Sequence, residues 1–338
     1  SGYTGADLLR LGVRHPGLKF VALTANTHAG KPMASVFPHL AVAELPDLVA
    51  NEDVDFSDID VVFCGLPHGT SQKLVAEIAQ ENSSLRVIDM GADFRFRNAE
   101  DYGPVYGADH VAPHLQDMAA YGLTEHNRDA IQNAKIIACP GCYPTATLLA
   151  LLPLVKSGAI STDDLIIDAK SGVTGAGRAP KQNTLLAEAG ESLTPYGVGV
   201  HRHAPEIEQE IGLAAGKKVA VNFTPHLIPM SRGELITAHV KLDSAKNADE
   251  VRKVLADAYA GEPFIRVAEK GVIPSTGHVR GSNYCVINVF DDRIPGRVIV
   301  SAAIDNLVKG SAGQAIQNFN VAFGYPEATA IEALPLFP

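Results

Sequence analysis

Residues 1–5 read Ser-Gly-Tyr-Thr-Gly, and Leu8, Leu9 and Val13 follow them at the spacing of one helical face. A glycine turn that opens a helix normally follows a buried strand, and the N–H groups at such a helix start stabilise a pyrophosphate. No strand precedes this turn, so we expect a longer chain in which the strand and one further glycine come first. The stretch predicts the first crossover of a dinucleotide-binding domain.

The alternation of strand and helix continues through the first 140 residues. Short apolar runs predict strands buried on both faces, and the spacing of Leu74, Val75 and Ile78 predicts a helix over residues 71–80. Strands that alternate with helices are typical of a parallel sheet covered by helices, so a doubly wound α/β domain is the simplest fold. The predicted strands are residues 19–25, 59–65, 85–90 and 135–139.

Beyond the last of these strands the pattern changes to strand-like runs that mostly have no helix between them. This is typical of an α+β unit with a more antiparallel sheet. A helix is predicted over residues 249–259, and a final helix over 307–318 is expected to pack on the first domain. We therefore assign residues 1–143 with 308–338 to one domain and 144–307 to the other. The strands predicted in the second domain are 165–169, 218–223, 235–242, 284–290 and 297–304.

The composition argues against several classes of partner. The 338 residues carry a net charge of -10 without a cluster of Lys or Arg, so we expect no nucleic-acid partner. No apolar run reaches the about 20 residues of a membrane span, and we expect neither membrane insertion nor export. Four cysteines are too few for a disulfide framework, which favours a reducing compartment, the cytoplasm.

The segment after the strand at 19–25 bears on the choice of cofactor. An NAD site usually has an acidic residue there for the ribose hydroxyls. Residues 24–31 read Thr-Ala-Asn-Thr-His-Ala-Gly-Lys, with no acid and one cation. Asn26 and Lys31 therefore predict that a 2′-phosphate is accepted, which favours NADP. The predicted pyrophosphate turn consists of Ser1, Gly2, Tyr3, Thr4 and Gly5.

The most informative stretch is residues 139–147, Cys-Pro-Gly-Cys-Tyr-Pro-Thr-Ala-Thr, between a strand and an apolar helix. Pro144 suits the first helical turn, which places Cys142 at the helix N-terminus. The dipole and the N–H groups there favour a thiolate and stabilise an oxyanion when that thiolate attacks a carbonyl. A thioester accepts hydride readily, whereas a carboxylate does not. The stretch predicts Cys142 as a covalent nucleophile.

Residues 201–203, His-Arg-His, form the second cluster. Pro205 is predicted to open a helix over 206–211, and an extended approach would direct His201 and His203 to one side. Histidine transfers protons near neutral pH and commonly activates a thiol. Both histidines are therefore candidates for the acid/base.

Cys139 and Cys142 also form a C-x-x-C pair, which redox proteins and zinc sites use. A structural zinc would need two more ligands, and the spacing of His201 and His203 is not the usual H-x3–5-H. No thioredoxin-sized unit surrounds the pair, so we expect no metal and no thioredoxin-like role. The other two cysteines, Cys64 and Cys285, are predicted to be structural.

Further polar segments suggest that phosphate is bound. Residues 171–178, Ser-Gly-Val-Thr-Gly-Ala-Gly-Arg, combine flexible glycines, hydroxyls and a guanidinium. Arg95 follows a predicted strand end, where ligands gather in such sheets. Arginine binds phosphate and carboxylate in bidentate fashion, although each arginine alone is better explained by a structural ion pair. The candidate substrate-binding residues are Arg95, Arg178, Arg202 and Arg232.

Together these motifs resemble those of the N-acetyl-gamma-glutamyl-phosphate reductase family. The resemblance runs over essentially the whole chain in the family's order. It rests on Ser-Gly-Tyr-Thr-Gly at 1–5, Gly-Cys-Tyr-Pro-Thr at 141–145, the 171–178 segment, His-Arg-His-Ala-Pro-Glu-Ile at 201–207, Phe-Thr-Pro-His-Leu at 223–227 and Asp-Asn-Leu-Val-Lys-Gly-Ser-Ala-Gly-Gln-Ala at 305–315.

The resemblance implies an α/β protein of the semialdehyde dehydrogenase type. It would combine a Rossmann-type NADP domain with an α+β catalytic and dimerisation domain, closed by a C-terminal helix and assembled as a dimer or tetramer. The implied reaction is NADPH-dependent reduction of N-acetyl-glutamyl 5-phosphate, a small-molecule acyl phosphate, to the semialdehyde. Cys142 would be the nucleophile, and we favour His203 over His201 as the acid/base. The remaining candidate cofactor-binding residues are Ser171, Gly172, Gly175, Asn306 and Gly310.

Alternatives remain open at the level of sequence. Aspartate-semialdehyde dehydrogenase performs the same chemistry on a shorter acyl phosphate, and other reductases act on carrier-linked aminoadipyl or glutamyl phosphate. Outside this class, an NADP-binding redox sensor would use the same fold. Cys139 stands where the family pattern predicts a residue without a thiol, which suggests a regulatory disulfide with Cys142.

Overall fold

The computed structural model describes residues 2–337, and the chain folds into two compact units. The first comprises the chain up to Cys139 together with Ala312–Glu332, and the second comprises Pro140–Ser311 and the residues from Ala333 onward. Ser1, which was predicted to belong to the pyrophosphate turn, lies outside the described residues. Within them, no helix is both long enough and apolar enough to cross a bilayer.

Ten α-helices and thirteen β-strands are described, apart from short 3-10 helices and one π-helical segment. In chain order they are α1 (Tyr3–Gly12), β1 (Leu23–Thr24), α2 (Met33–Val36), β2 (Leu48–Val49), β3 (Val61–Cys64), α3 (Ser71–Glu81), β4 (Arg86–Asp89), α4 (Tyr102–Tyr106), β5 (Ala119–Tyr121), α5 (Thr124–Asn133), β6 (Ile136–Ala138), α6 (Cys142–Lys156), β7 (Leu165–Gly172), α7 (Leu186–Ala189), β8 (Thr194–Pro195), α8 (His203–Ala215), β9 (Val221–Ile228), β10 (Glu234–Lys241), α9 (Ala248–Ala258), β11 (Ile265–Val267), β12 (Cys285–Asp291), β13 (Arg297–Ile304) and α10 (Gly313–Phe323).

The first unit contains a four-stranded parallel sheet in the order β3-β4-β6-β5. Val62 pairs with Val87, and Ile88 pairs with Ile137. The predicted strands at 59–65, 85–90 and 135–139 are therefore confirmed as neighbours in one parallel sheet. The sequence did not indicate β5, because it has three residues and no apolar run that stands out from its surroundings.

The strand predicted over residues 19–25 is confirmed only in part. Leu23 and Thr24 are paired, and they join β2 in a separate two-stranded sheet. Val21 is 56% exposed, so this apolar run is not covered on both faces as a central strand would be.

The last helix returns to the first unit. Val308–Ala312 is π-helical, and α10 then continues to Phe323, five residues beyond the predicted end at 318. Within the first unit α10 packs on α1 and α5. The Asn318 side chain accepts from the Thr124 hydroxyl at 2.7 Å and donates to the Gly122 carbonyl at 2.9 Å.

The second unit contains a seven-stranded mixed sheet in the order β11-β12-β13-β10-β7-β9-β8. Its long central pairs are antiparallel, whereas β7 with β9 and β11 with β12 are parallel. This agrees with the α+β pattern. The strand predicted at 218–223 begins later, at Val221, and runs through Pro225, which lacks the N–H that a ladder needs. Pro225 is tolerated there because β8, the neighbour on one side, covers only two residues of β9.

Helix α6 forms the centre of the second unit. Every residue from Tyr143 to Val155 is buried, because α8, α9 and the sheet surround the helix. Alternate residues of β7 and β10 are buried, as expected of a sheet that has one face against a core. Cys142 is the first residue of α6 and is only partly buried. The buried helix therefore begins at a partly exposed cysteine.

Candidate active site

Gly141 caps the helix that Cys142 begins. Its backbone is extended, with φ -63° and ψ 158°, and its carbonyl accepts both the N–H and the hydroxyl of Thr145 at 2.9 Å. The N–H groups of the first helical turn therefore lie around Cys142 without intrahelical acceptors. These groups and the helix dipole favour negative charge on the Cys142 sulfur and on an adjacent oxyanion.

Glu206 and His203 of helix α8 lie against this turn. The Gly141 N–H donates to Oε1 of Glu206 at 3.0 Å, and Glu206 is 1% exposed. A Cβ atom at residue 141 would overlap Nε2 of His203. Glycine at 141 therefore allows the imidazole to approach the residue that precedes Cys142. Glu206 belongs to the His-Arg-His-Ala-Pro-Glu-Ile motif, but the motif by itself indicates no role for this residue.

The two histidines come together, although not as predicted. Arg202 has helical φ and ψ of -63° and -15°, so the run is not extended, and α8 begins at His203 instead of residue 206. Pro205 is tolerated because the first helical turn needs no N–H. The rings of His201 and His203 are 4.8 Å apart, and the His203 N–H donates to Nδ1 of His201 at 3.2 Å. Burial, with a smaller contribution from Arg202, lowers the pKa of His201 to about 4.

Two tyrosines extend the site. The Tyr196 hydroxyl donates to the Tyr143 hydroxyl at 3.3 Å, which donates to the His226 carbonyl at 3.3 Å. The Tyr196 ring also packs edge-on to His201, with centroids 5.2 Å apart. Burial raises the pKa of both tyrosines, so both stay protonated donors. Tyr196 is not predictable from the sequence as a site residue, because a single tyrosine in a loop carries no distinguishing pattern.

Glu234 is the other residue that sequence reasoning missed. It opens β10, is 0% exposed, and neither carboxylate oxygen makes a well-formed hydrogen bond within residues 2–337. Burial raises the pKa of Glu234 to about 8, while a looser hydrogen-bonding contact with the Cys142 side chain acts in the opposite direction. No sequence motif indicated Glu234, because its importance depends on the residues that the fold places beside it.

Gly310 lies directly against the nucleophile candidate. A Cβ atom at residue 310 would be 2.7 Å from the Cβ of Cys142. Asp305 shapes this segment, because its side chain accepts the N–H of Leu307 at 2.9 Å and its carbonyl accepts the N–H of Gly310 at 3.0 Å. Gly310 was predicted to be near the cofactor, and the structure places it at Cys142.

The other predicted cofactor-binding residues of the second unit form one cluster. Asn306 is 3% exposed, accepts the Gly233 N–H at 2.8 Å and donates to the Thr174 hydroxyl at 3.0 Å. A Cβ atom at Gly172 would be 2.8 Å from the Met230 carbonyl, so only glycine fits there. The remaining members, Ser171 and Gly175, are in contact, with Ser171 Oγ 3.0 Å from the Cβ position of Gly175.

One candidate arginine lies in the first unit and three lie in the second. Arg95, in the first unit, donates to the Cys139 carbonyl at 2.8 Å. Arg232 is 28% exposed in its side chain and lies 3.6 Å from the buried Asp305 carboxylate. Arg178 and Arg202, both in the second unit, are exposed on loops. Arg232 thus forms a structural ion pair with Asp305.

The first unit contains a large groove. A cavity of about 750 Å³ lies at the ends of β1 and β3, and its lining includes Asn26, Thr70 and Lys73 but not Lys31. Lys31 is exposed, and its carbonyl accepts the Leu48 N–H. At the start of α1 the first intrahelical bond runs from Ala6 N–H to Gly2 carbonyl, so the N–H groups between them have no intrahelical acceptor. The residues of the predicted pyrophosphate turn that fall in this first helical turn are Gly2, Tyr3, Thr4 and Gly5.

The cysteines are all free, and Cys142 is the one that is not buried. The Asn318 amide donates to the Cys139 sulfur at 3.5 Å, and burial raises the pKa of the Cys139 thiol to about 12. Cys64 and Cys285 are buried, as expected of structural cysteines. Within residues 2–337, no cysteine or histidine belongs to a group of three or more candidate metal ligands.

Two family models match successive parts of the chain. Semialdehyde dehydrogenase, NAD binding domain, matches residues 1–134, and semialdehyde dehydrogenase, dimerisation domain, matches residues 142–306. The aspartate semialdehyde dehydrogenase II of Vibrio cholerae has a similar fold, with a TM-score of 0.74 over 96% of each chain at 19% identity. The predicted fold class is confirmed, and the dimerisation domain supports the predicted homo-oligomer.

Relatives with curated names are much closer in sequence. N-acetyl-gamma-glutamyl-phosphate reductase of Rhodospirillum rubrum is 52% identical over 100% of this chain and 97% of its own. Probable N-acetyl-gamma-glutamyl-phosphate reductase, chloroplastic, of Arabidopsis thaliana is 49% identical over 100% of this chain and 84% of its own. The predicted enzyme class, an oxidoreductase of the semialdehyde dehydrogenase type, is confirmed. The chain belongs to the N-acetyl-gamma-glutamyl-phosphate reductase family.

Proposed function

We propose that this protein reduces N-acetyl-L-glutamyl 5-phosphate to N-acetyl-L-glutamate 5-semialdehyde and phosphate with NADPH, a step of arginine biosynthesis. The observation that carries the proposal is the position of Cys142, which is partly exposed at the start of a buried helix and capped by a glycine that His203 approaches. The names of the full-length relatives supply the substrate.

In the proposed reaction the Cys142 sulfur attacks the acyl carbon. The C–S bond forms, the C–O bond to phosphate breaks, and the N–H groups of the α6 first turn hold the oxyanion in between. The departing phosphate takes a proton from His203. Reduction of the thioester then releases the aldehyde and returns the thiolate, so that Cys142 is regenerated.

We assign the acid/base role to His203 and a positioning role to His201. The His203 ring approaches the Gly141 cap, and the main-chain N–H of His203 donates to Nδ1 of His201. His201, whose pKa burial lowers to about 4, stays neutral near pH 7 and can keep accepting that bond. Arg232, Arg178, Arg202 and Arg95 remain the proposed phosphate and carboxylate ligands.

The residues present fit a dinucleotide. The start of α1 offers N–H groups that suit a pyrophosphate, and the groove of the same unit, about 750 Å³, is of the size typical of ligand pockets. We propose that Gly2, Thr4, Gly5 and Asn26 hold this part of the cofactor. In the second unit, the residues proposed to bind cofactor are Ser171, Gly172, Gly175, Asn306 and Gly310. The groove also contains Lys73, a cation that the sequence analysis did not select. When bound, NADPH supplies the hydride that reduces the thioester.

The test is the reverse assay, in which N-acetyl-glutamate semialdehyde, phosphate and NADP are mixed with the enzyme and NADPH is followed by absorbance. We expect phosphate-dependent NADPH formation with the acetylated substrate and little with aspartate semialdehyde. A signal with aspartate semialdehyde alone would assign a different substrate to the enzyme and leave the proposed reaction chemistry unchanged. Silence with both, under conditions in which NADP binds, would refute the proposed reaction.

We further propose a dimer or tetramer in the cytoplasm. The match to a dimerisation domain supports self-association in general. Light scattering combined with size-exclusion chromatography measures the number of copies directly, and a monomer at working concentration would refute this part. Fractionation of the source cells tests the compartment.

A further inference from the structure

The buried carboxylate of Glu234 has no structural partner that accounts for it. It lies at the first residue of β10, where the main chain pairs with Ser171 on one side and Ile304 on the other. These ladder bonds use the backbone and leave the side chain unengaged. Arg232, the nearest arginine in sequence, pairs with Asp305 instead.

Burying such a group is costly. A carboxylate that is 0% exposed loses its hydration, and its two oxygens gain no well-formed hydrogen bond within residues 2–337 in return. A Leu or Met at this position would fill the space without that cost. A destabilising group that persists in a core is a candidate for a role in chemistry.

The groups that face Glu234 belong to the candidate active site. The Cys142 side chain makes the looser hydrogen-bonding contact, and Asp305 is the nearby like charge that opposes ionisation of Glu234. Glu234 acts in turn on the hydroxyls of Tyr143 and Tyr196. Among these four neighbours, the thiol is the one whose proton must leave for the proposed reaction.

We infer that Glu234 is the internal proton acceptor for Cys142, so that the thiol and the carboxylate share one proton in the resting enzyme. This inference rests on the reaction proposed above. Glu234 would act on the reacting sulfur itself, whereas His203 serves the substrate oxygens. Burial raises the pKa of Glu234 to about 8, so the carboxylate is a stronger base than an exposed one and is better able to accept the thiol proton.

The protons balance through the cycle. When the Cys142 sulfur attacks the acyl carbon, the S–H bond breaks and its proton goes to Glu234, which becomes a neutral acid. The departing phosphate takes a proton from His203, which solvent later replaces. After the thioester has been reduced, the released thiolate recovers its proton from Glu234. The net uptake is the one proton that leaves with phosphate.

The test compares wild type with Glu234→Gln, which keeps the shape and removes the ionisation. Glu210→Gln, at another buried glutamate of the same unit, is the matched control. Iodoacetamide alkylation of Cys142 is measured across pH, with the modified peptide identified by mass spectrometry, beside kcat/KM in the reverse assay. Alkylation reports thiolate that already exists, whereas turnover can also use the thiol–carboxylate pair.

In wild type we expect alkylation to rise in two steps, because two coupled acids ionise in turn. Turnover should already rise with the first step. In Glu234→Gln we expect alkylation and turnover to rise together in a single step. The midpoint pH of this step should be lower than that of the upper wild-type step, because a like charge is gone. We expect kcat/KM at neutral pH to fall about tenfold or more, as for loss of a general base. A purely structural role would not merge the two pH profiles.

The inference is overturned if Glu234→Gln, with control-like stability, keeps the wild-type profile and kcat/KM. If Glu234→Gln does not fold, the alkylation profile of the wild-type protein is the test, and it is measured also in His203→Asn, which removes the imidazole. A single alkylation step then overturns the inference. A two-step profile in an enzyme that is silent with N-acetyl-glutamate semialdehyde would support the proton pair and refute only the proposed substrate.

Discussion

The main-chain N–H of Gly141 donates to the buried carboxylate of Glu206 at 3.0 Å. This bond joins the turn before Cys142 to the helix that begins at His203. The hydrogen bond therefore connects the segment of the nucleophile candidate to the helix of the acid/base candidate. Their relative position is a property of the packing of α6 on α8.

Replacing Glu206 should weaken this connection in a graded way. Glu206→Gln retains an oxygen acceptor and should stay within about 1 kcal/mol of wild type, whereas Glu206→Ala leaves a buried N–H unsatisfied and should cost about 1–3 kcal/mol. Urea denaturation measures the free energy of unfolding. Equal stability of the two variants would show that the bond contributes little.

Cys142→Ser should retain cofactor binding and lose turnover by several orders of magnitude, because a serine hydroxyl is a far weaker nucleophile at neutral pH. NADPH titration by fluorescence and the reverse assay measure the two properties separately. Cys139→Ser serves as the control and should stay active, since the Cys139 thiol is buried and its pKa is raised to about 12. Near-normal turnover of Cys142→Ser would exclude the thioester route.

Gly310→Ala should displace Cys142, because the new methyl carbon would lie 2.7 Å from the Cβ of Cys142. We expect alkylation of Cys142 and kcat to change together, with kcat falling about 10²-fold as is typical of small misplacements of reacting groups. Gly5→Ala is the matched exchange, since nothing lies within 4 Å of its added Cβ. It should leave the alkylation rate unchanged, and an unchanged rate in Gly310→Ala as well would contradict the steric argument.

The two histidines should differ in the kind of loss they cause. His203→Asn removes the proposed proton donor and should lower kcat about 10²–10⁴-fold. His201→Asn removes the acceptor of the His203 N–H and should have a smaller effect on kcat while keeping its pH profile. The pH dependence of kcat for both variants checks this assignment. The reverse order of effects would assign the acid/base to His201.

Asp89 should make the protein less stable as pH rises. Burial raises its pKa from 3.8 to about 7, so between these values the folded state keeps a proton that the unfolded state has lost. The free energy of unfolding therefore falls with increasing pH across that window, by up to about 1.4 kcal/mol per pH unit. Asp89→Asn should make the free energy of unfolding depend less steeply on pH. The dependence that remains is caused by Glu234 and has the same direction.

Urea denaturation at several pH values between 4 and 7 measures that slope. Asp257→Asn, at an exposed aspartate paired with Lys253, is the control and should leave it unchanged. An Asp89→Asn variant with the wild-type slope would show that the carboxyl is ionised in the folded protein.

Local patterns were reliable where the physics is local. The parallel strands of the first unit were visible as short apolar runs, and the helix start at Cys142 followed from Pro144 and the apolar residues after it. They were only partly right for residues 19–25, because an apolar run becomes a strand only where a neighbour pairs with it. They failed for the His-Arg-His run, where α8 begins at His203, before the start that Pro205 suggested.

The sequence by itself determined the class of fold, the family and the candidate nucleophile, because strand periodicity, helix starts and contiguous motifs are written along the chain. Only the tertiary structure decided which polar groups surround that nucleophile. Glu234, Gly310 and His203 are far from Cys142 in sequence and reach it through strand pairing, a π-helical turn and the start of α8. Their chemistry depends on burial and on distances of a few ångströms, which exist only once the second unit has packed around α6.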